Sequence, residues 1–213
     1  MRYKAILFDM DGTLLDTLTD MADAVNHILS AHGWPLRTTE EVRAFVGNGA
    51  RRLMERAVPP EVTGGDFETV LTEYRDWYQA HNCVATAPYP GIPALLAALA
   101  EAGIKTAVVS NKPDATTKTL AARFFPGLPA FGQRDDVPPK PAPDLVFRAL
   151  ETLGVDAADA IYVGDSEVDV ATARNAGLPL AAVSWGFRGR RALAEAGAAV
   201  IVDAAAELLE VLR

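Results

Sequence analysis

Three short polar clusters, each directly after an apolar run, hold the side chains that could do chemistry in this 213-residue sequence. They are Asp9-Met10-Asp11-Gly12-Thr13, Ser110-Asn111-Lys112, and Gly164-Asp165-Ser166 with Asp169 just beyond. Brought together, Asp9, Asp11, Asp165 and Asp169 would put four carboxylates near one point, and such a group stays ionised only with a cation among it. No histidine or cysteine falls in the clusters, so the donors are all oxygen, which suits Mg2+ and disfavours zinc. A carboxylate can attack phosphorus and form an aspartyl-phosphate, splitting one difficult displacement into two. A second aspartate two positions on can protonate a leaving alkoxide and then deprotonate the attacking water. Metal, lysine and backbone N–H groups would stabilise charge on the group in flight. These residue types point to phosphoryl transfer.

For the clusters to meet, the apolar runs must be parallel strands of one sheet, because the carboxyl ends of such strands share an edge. Residues 3–8 read as a buried strand halted at Asp9. Leu18, Met21, Ala22, Val25 and Leu29 then keep helical spacing up to Gly33. Thr38 and Glu41 make a capping-box pair ahead of a second helix, which breaks at Gly47-Asn48-Gly49. A third apolar stripe runs through Phe67, Val70, Leu71, Tyr74, Trp77 and Tyr78, so residues 16–86 are expected to be purely helical. Beyond Pro88 the rhythm changes. A helix over 92–102 leads into a strand over 104–109, and a helix over 113–125 leads into a loop rich in proline. A helix over 144–153, a strand over 160–163, a helix to Ala176, a strand over 180–184 and a closing helix–strand–helix follow. This alternation predicts an α/β fold, a Rossmann-like doubly wound parallel sheet. The expected division is a core of residues 1–15 and 87–213 and a helical cap of residues 16–86, hinged near 15–17 and 85–89.

The clusters, taken in order, resemble the four motifs of the haloacid dehalogenase superfamily. Asp9-Met10-Asp11-Gly12-Thr13 looks like the first, Ser110 the second, Lys140 between Pro139 and Pro141 the third, and Gly164-Asp165-Ser166-Glu167-Val168-Asp169 the fourth. The resemblance implies Asp9 as nucleophile and metal ligand. It implies Asp11 as general acid and base, its backbone carbonyl also on the metal. Gly12 and Thr13 complete that motif beside the phosphate. Ser110 would bond the phosphate with help from Asn111, and Lys140 would neutralise it and orient Asp9. Asp165 would be the direct carboxylate ligand of Mg2+, and Asp169 either an outer residue or a ligand through water. Only 29 residues separate Ser110 from Lys140, too few for a second cap, so the helical insert is the expected one. That architecture is similar to the branch holding phosphoglycolate phosphatases, β-phosphoglucomutases, phosphonate hydrolases and dehalogenases. No lysine lies between Lys4 and Lys105 to form a Schiff base with a phosphonate, and Asp11 argues against a dehalogenase. Gly12-Thr13 leans away from the mutases, which stay the alternative together with pyrophosphatases and sugar or nucleotide phosphatases. A non-enzymatic phosphometabolite-binding protein would have no need of all four motifs. The stretches 23–26, 46–50 and 110–113 are similar to phosphoglycolate phosphatases. On that basis Gly47 and Asn48 would face the substrate, and Arg51 or Arg52 would pair a substrate carboxylate, against the plainer alternative of solvated helix arginines.

The remaining signals are quieter. A net charge of -8 argues against nucleic acid and anionic membranes as partners. No 18-residue apolar run and no signal peptide is read, and the single Cys83 suits a reducing compartment, so a cytoplasmic monomer or homodimer acting on a small-molecule phosphate ester is expected. Lys112 is open between a contact at the phosphate rim and a surface charge. His27, His32 and His81 read as surface or packing residues.

Overall fold

Residues 2–212 are described by a computed structural model. The first strand, β1 (Ala5–Phe8), is buried at every position, as expected for a strand covered on both faces. The chain then turns into a two-residue strand, β2 (Leu15–Asp16), and climbs through four helices: α1 (Leu18–Ala31), α2 (Thr39–Phe45), α3 (Gly49–Ala57) and α4 (Gly64–His81). It returns through β3 (Ala87–Pro88). The rest alternates: α5 (Ile92–Glu101), β4 (Lys105–Pro113), α6 (Asp114–Phe124), β5 (Ala130–Gln133), α7 (Asp144–Leu153), β6 (Ala160–Gly164), α8 (Glu167–Ala176), β7 (Leu180–Val183), α9 (Gly189–Glu195), β8 (Ile201–Val202) and α10 (Ala205–Val211).

The main sheet is wholly parallel, in the order β5-β4-β1-β6-β7-β8. Strand side chains alternate between its faces. Ile6, Phe8, Val108, Ile161 and Val163 pack with Leu95, Leu99, Leu120 and Leu208 on one side. Ala5, Leu7, Val109 and Tyr162 pack with Leu145, Val146, Leu150 and Ala173 on the other. This is the α/β doubly wound sheet the alternation predicts. The helices α1 to α4 have a separate apolar core built on Val25, Leu29, Met54, Leu71 and Tyr74. The Thr38–Glu41 capping box forms with both of its bonds.

Three features depart from the sequence reading. The strand expected over 104–109 runs on as β4 through Ser110, Asn111 and Lys112 to Pro113, so that cluster lies within the strand and not beyond it. β5 lies in a stretch expected to be loop; it is short and half-buried, and it is held by pairing to β4 and by the Gly132 N–H donating to Asp114 at 3.1 Å. The helical block is also not helical at its root, because β2 and β3 pair antiparallel there, Leu15 with Pro88 and Asp16 with Ala87. Buried Asp20 in the first turn of α1 secures that junction. Its carboxylate accepts from the N–H groups of Val84, Ala85 and Thr86 at 2.8 to 3.0 Å and from the Thr86 hydroxyl at 2.7 Å.

Candidate active site

The polar clusters converge because β1, β4 and β6 are adjacent and parallel, so their carboxyl ends open on one edge. Asp9 ends β1. Its Oδ1 accepts from the Met10 N–H at 2.7 Å and lies 2.9 Å from Lys140 Nζ. The chain must then double back at once. Gly12 allows this with φ of +82°, and a side chain there would also collide with the Asp165 carboxylate.

Lys140 is 3% exposed. Its ammonium contacts Asp9, Asp169 Oδ1 at 2.8 Å and the Tyr162 hydroxyl at 3.0 Å. Burial opposes its charge, but the neighbouring Asp169 and Asp9 carboxylates outweigh that and hold its pKa well above the usual lysine value. Asn111 fixes the loop that carries it. Its side-chain oxygen accepts from the Lys140 N–H at 2.8 Å, and its amide donates to the Lys140 carbonyl at 3.0 Å and to the Gly47 carbonyl of the helical block at 3.2 Å.

Asp165 ends β6 at 1% exposure, accepting from the Thr13 hydroxyl at 3.1 Å and the Phe187 N–H at 2.7 Å. Asp169 is completely buried as the third residue of α8. Its Oδ2 accepts from the Ser166 hydroxyl at 2.6 Å and its N–H at 3.1 Å. Asp9, Asp165 and Asp169 can each bring one carboxylate oxygen within 4.8 Å of the others. Burial, with Asp169 and Asp11 nearby, pushes the Asp9 carboxyl up to about 7 despite Lys140. Burial and the Asp169 and Asp9 charges hold the Asp165 carboxyl well above the usual range. One ammonium among three buried carboxyls leaves a negative excess and an all-oxygen donor set. That fits a hard divalent cation. Both oxygens of Asp169 are already occupied by Lys140 and Ser166, whereas Asp9 keeps Oδ2 free of any hydrogen bond among the described residues.

Above this edge a cavity of about 310 Å³ separates the sheet from the helical block. Asp9, Ser110 and Lys140 form its floor, and Leu53, Tyr74 and Phe187 its apolar walls. Gly47 and Gly49 also border it, whereas Asn48 and Arg51 do not. Arg51 is not free for a substrate: its guanidinium grips Glu68 through two bonds of 2.8 Å on the exposed face of α3, and Arg52 holds Glu55 at 2.6 Å. The arginine that reaches the cavity from the core is Arg188, which donates to the Arg43 carbonyl at 2.9 Å and the Val46 carbonyl and so clasps the start of the 46–49 loop.

Lys112, left open by the sequence, is 5% exposed and no surface charge. Tyr162, Thr17 and the Gly186-Phe187-Arg188 turn were missed. Thr17 donates to Asp11 Oδ1 at 2.8 Å, and a residue six positions after a candidate acid carries no local signature. The turn could have been found by the rule that located the other clusters, since it follows the carboxyl end of β7 on the same edge.

Known proteins agree with this geometry. The family model described as haloacid dehalogenase-like hydrolase matches residues 6–183. The chain is 37% identical to N-acetylmuramic acid 6-phosphate phosphatase of Pseudomonas aeruginosa, with 100% of this chain and 96% of the relative covered. It is 35% identical to phosphoglycolate phosphatase of Pseudomonas savastanoi pv. phaseolicola, covering 94% of this chain and 76% of the relative. A crystal structure from Lactobacillus delbrueckii subsp. bulgaricus, provisionally assigned as a phosphoglycolate phosphatase, superimposes with a TM-score of 0.94 at 37% identity over 100% of this chain and 99% of that one. The chain belongs to the haloacid dehalogenase-like hydrolases, and within them it is a phosphatase acting on phosphoric monoesters.

Proposed function

We propose that the protein hydrolyses 2-phosphoglycolate to glycolate and phosphate through an aspartyl-phosphate on Asp9, with Mg2+ as cofactor. The observation that carries this reading is the Lys140 ammonium 2.9 Å from Asp9 Oδ1 at the floor of the cavity. That ion pair holds Oδ1 and leaves Oδ2 for attack on phosphorus, and it would place a cation beside the phosphoryl oxygens. The Ser110 hydroxyl, in the last stretch of the adjacent strand before Pro113 and on the floor of the cavity, donates to the phosphate. Asp11, two residues past the nucleophile, gives its proton to the departing glycolate oxygen. It then takes one from the water that cleaves the aspartyl-phosphate. The Asp9 and Asp165 carboxylates and the Asp11 backbone carbonyl would hold Mg2+, which supplies charge neutralisation to the transferred group. In this reading residues 16–86 act as a cap that excludes water, and the protein works in the cytoplasm as a monomer or homodimer.

A second substrate reading is favoured by the size and apolar walls of the cavity, which exceed what a two-carbon acid fills. It is a hexose-sized 6-phosphate such as N-acetylmuramic acid 6-phosphate, the ester named for one relative. Phosphate release from the two esters, measured side by side with Mg2+ and with a chelator, tests both. The proposal expects turnover only with Mg2+ and a higher kcat/KM for 2-phosphoglycolate. Preference for the sugar phosphate would transfer the assignment to the second reading, and no release from either would refute both.

A further inference from the structure

The buried lysine just past Ser110 has no part in the proposed reaction. Lys112 Nζ lies 3.1 Å from Asp11 Oδ2 and donates to the Tyr78 hydroxyl at 2.8 Å, with the ammonium 4.5 Å from the Tyr78 ring centre. Tyr78 belongs to α4 of the helical block and is itself 3% exposed. The other Asp11 oxygen is held by Thr17, in the segment between β2 and α1. Each oxygen of Asp11 therefore has one fixed partner: the root of the helical block on one side, and a core lysine on the other whose second contact is the block's last helix.

We propose that Lys112 is a positioning residue that makes the placement of Asp11 conditional on the helical block being seated, with Tyr78 as the contact it reads. The proposal rests on Asp11 as the proton carrier. An ammonium is costly to bury without partners. The Tyr78 hydroxyl and ring supply one side of its surroundings only while α4 lies against the core. With the block lifted, Lys112 takes up water in place of Tyr78 and no longer holds Asp11 in a single position. With it down, the lysine is locked and draws Asp11 Oδ2 to a fixed point bordering the cavity. Proton transfer then depends on a substrate that lets the block settle. The bond pattern suits this role better than direct substrate binding, because the ammonium already has an anion and a hydroxyl as partners.

The test uses the full-length enzyme with Mg2+ and two probes, 2-phosphoglycolate and 4-nitrophenyl phosphate. Lys112→Met, Tyr78→Phe and Asp11→Asn are compared singly and in pairs. A hydrogen bond to a charged group sets the scale, so Lys112→Met should lower kcat roughly 10- to 100-fold on both probes, with KM changed by less than about threefold. Tyr78→Phe removes one hydroxyl and should lower kcat by about 3- to 10-fold. The pairs are decisive. Adding Lys112→Met or Tyr78→Phe to Asp11→Asn should cost nothing further, because each acts through Asp11. A rise in KM at unchanged kcat would instead make Lys112 a substrate contact, and losses that multiply in the pairs would make it independent of Asp11; either overturns the proposal. Should Lys112→Met fail to fold, the cycle of Tyr78→Phe with Asp11→Asn is sufficient by itself, because the same multiplied losses there would overturn the proposal. If Asp11→Asn by itself leaves kcat intact, the proton-carrier reading falls and this inference falls with it, an outcome distinct from the others.

Discussion

As the proposed nucleophile Asp9 would act as an anion, yet its surroundings disfavour one, and that conflict can be measured. Its carboxyl moves from 3.8 to about 7 on folding, through burial and the charges of Asp169 and Asp11. A shift of about three units at ~1.4 kcal/mol each amounts to ~4 kcal/mol. Because the folded value is the raised one, this contribution to stability is whole below pH 3.8, erodes as pH rises and is gone once pH passes about 7. Asp9→Asn removes the titration. The ion pair to Lys140 is already counted in that net value and Lys140 keeps Asp169 as a partner, but water entering around a buried charge softens its penalty, so roughly half the figure, about 2 kcal/mol, should appear as a gain. At ~2 to 4 °C per kcal/mol for a chain of this size, the variant should melt ~4 to 8 °C above the parent at pH 8 in a chelator. At pH 5 that gap should shrink by about half or more. Excess Mg2+ should narrow or reverse it, since the parent binds the ion more tightly. The same variant should be without measurable turnover. Differential scanning calorimetry at both pH values, with chelator and with Mg2+, reads every part. A variant that melts below the parent at pH 8 in chelator, or a gap of equal size at both pH values, would show that the buried Asp9 charge does not burden the fold.

Arg51→Ala should leave kcat and KM within about twofold, because an exposed pair such as Arg51–Glu68 contributes only ~0 to 1 kcal/mol and the side chain does not border the cavity. Arg188→Ala, which releases the Arg43 and Val46 carbonyls, should raise KM several-fold in the same steady-state assay. Asp20→Ala deprives three N–H groups and a hydroxyl of their acceptor. Denaturant unfolding should show a loss of about 2 to 4 kcal/mol. Gly186→Ala would drive a methyl group into Asp165 and the Gly12 carbonyl. The Mg2+ concentration for half-maximal activity should rise about tenfold or more, and the melting temperature should fall by about 2 to 10 °C as the Gly12 backbone gives way.

What was legible in the sequence is what local rules dictate. An apolar run stopping at a polar cluster marks the ends of β1 and β6, and parallel strands bring such ends to one edge, so Asp9, Asp11 and Asp165 meet there; Ser110 joins them although β4 runs on past it to Pro113. Lys140 arrives from a loop, and only its likeness to a known motif pointed to it. The partners of Arg51 were not legible, since Glu68 lies 17 residues away on another helix and their meeting depends on how α3 packs against α4. The burial of Lys112 was hidden for the same reason, its contact Tyr78 coming from an element 34 residues earlier. β5 has no β-branched residue to announce it; pairing and the close approach of Gly132 to α6 create the strand.

The small ladder between β2 and β3 has a consequence for how such a protein can change. Both covalent crossings between sheet and helices pass side by side through it, Leu15 opposite Pro88 and Asp16 opposite Ala87. To the sheet, everything between them is a loop whose ends already touch, and its wiring does not depend on what the loop contains. A different block of helices spliced in at that point would leave Asp9, Asp165, Asp169 and Lys140 on the sheet edge and replace the walls above them, together with the Tyr78 contact of Lys112. A chain built this way can acquire a new substrate by exchanging one contiguous stretch of gene, provided the incoming block again offers Lys112 a partner where Tyr78 stands.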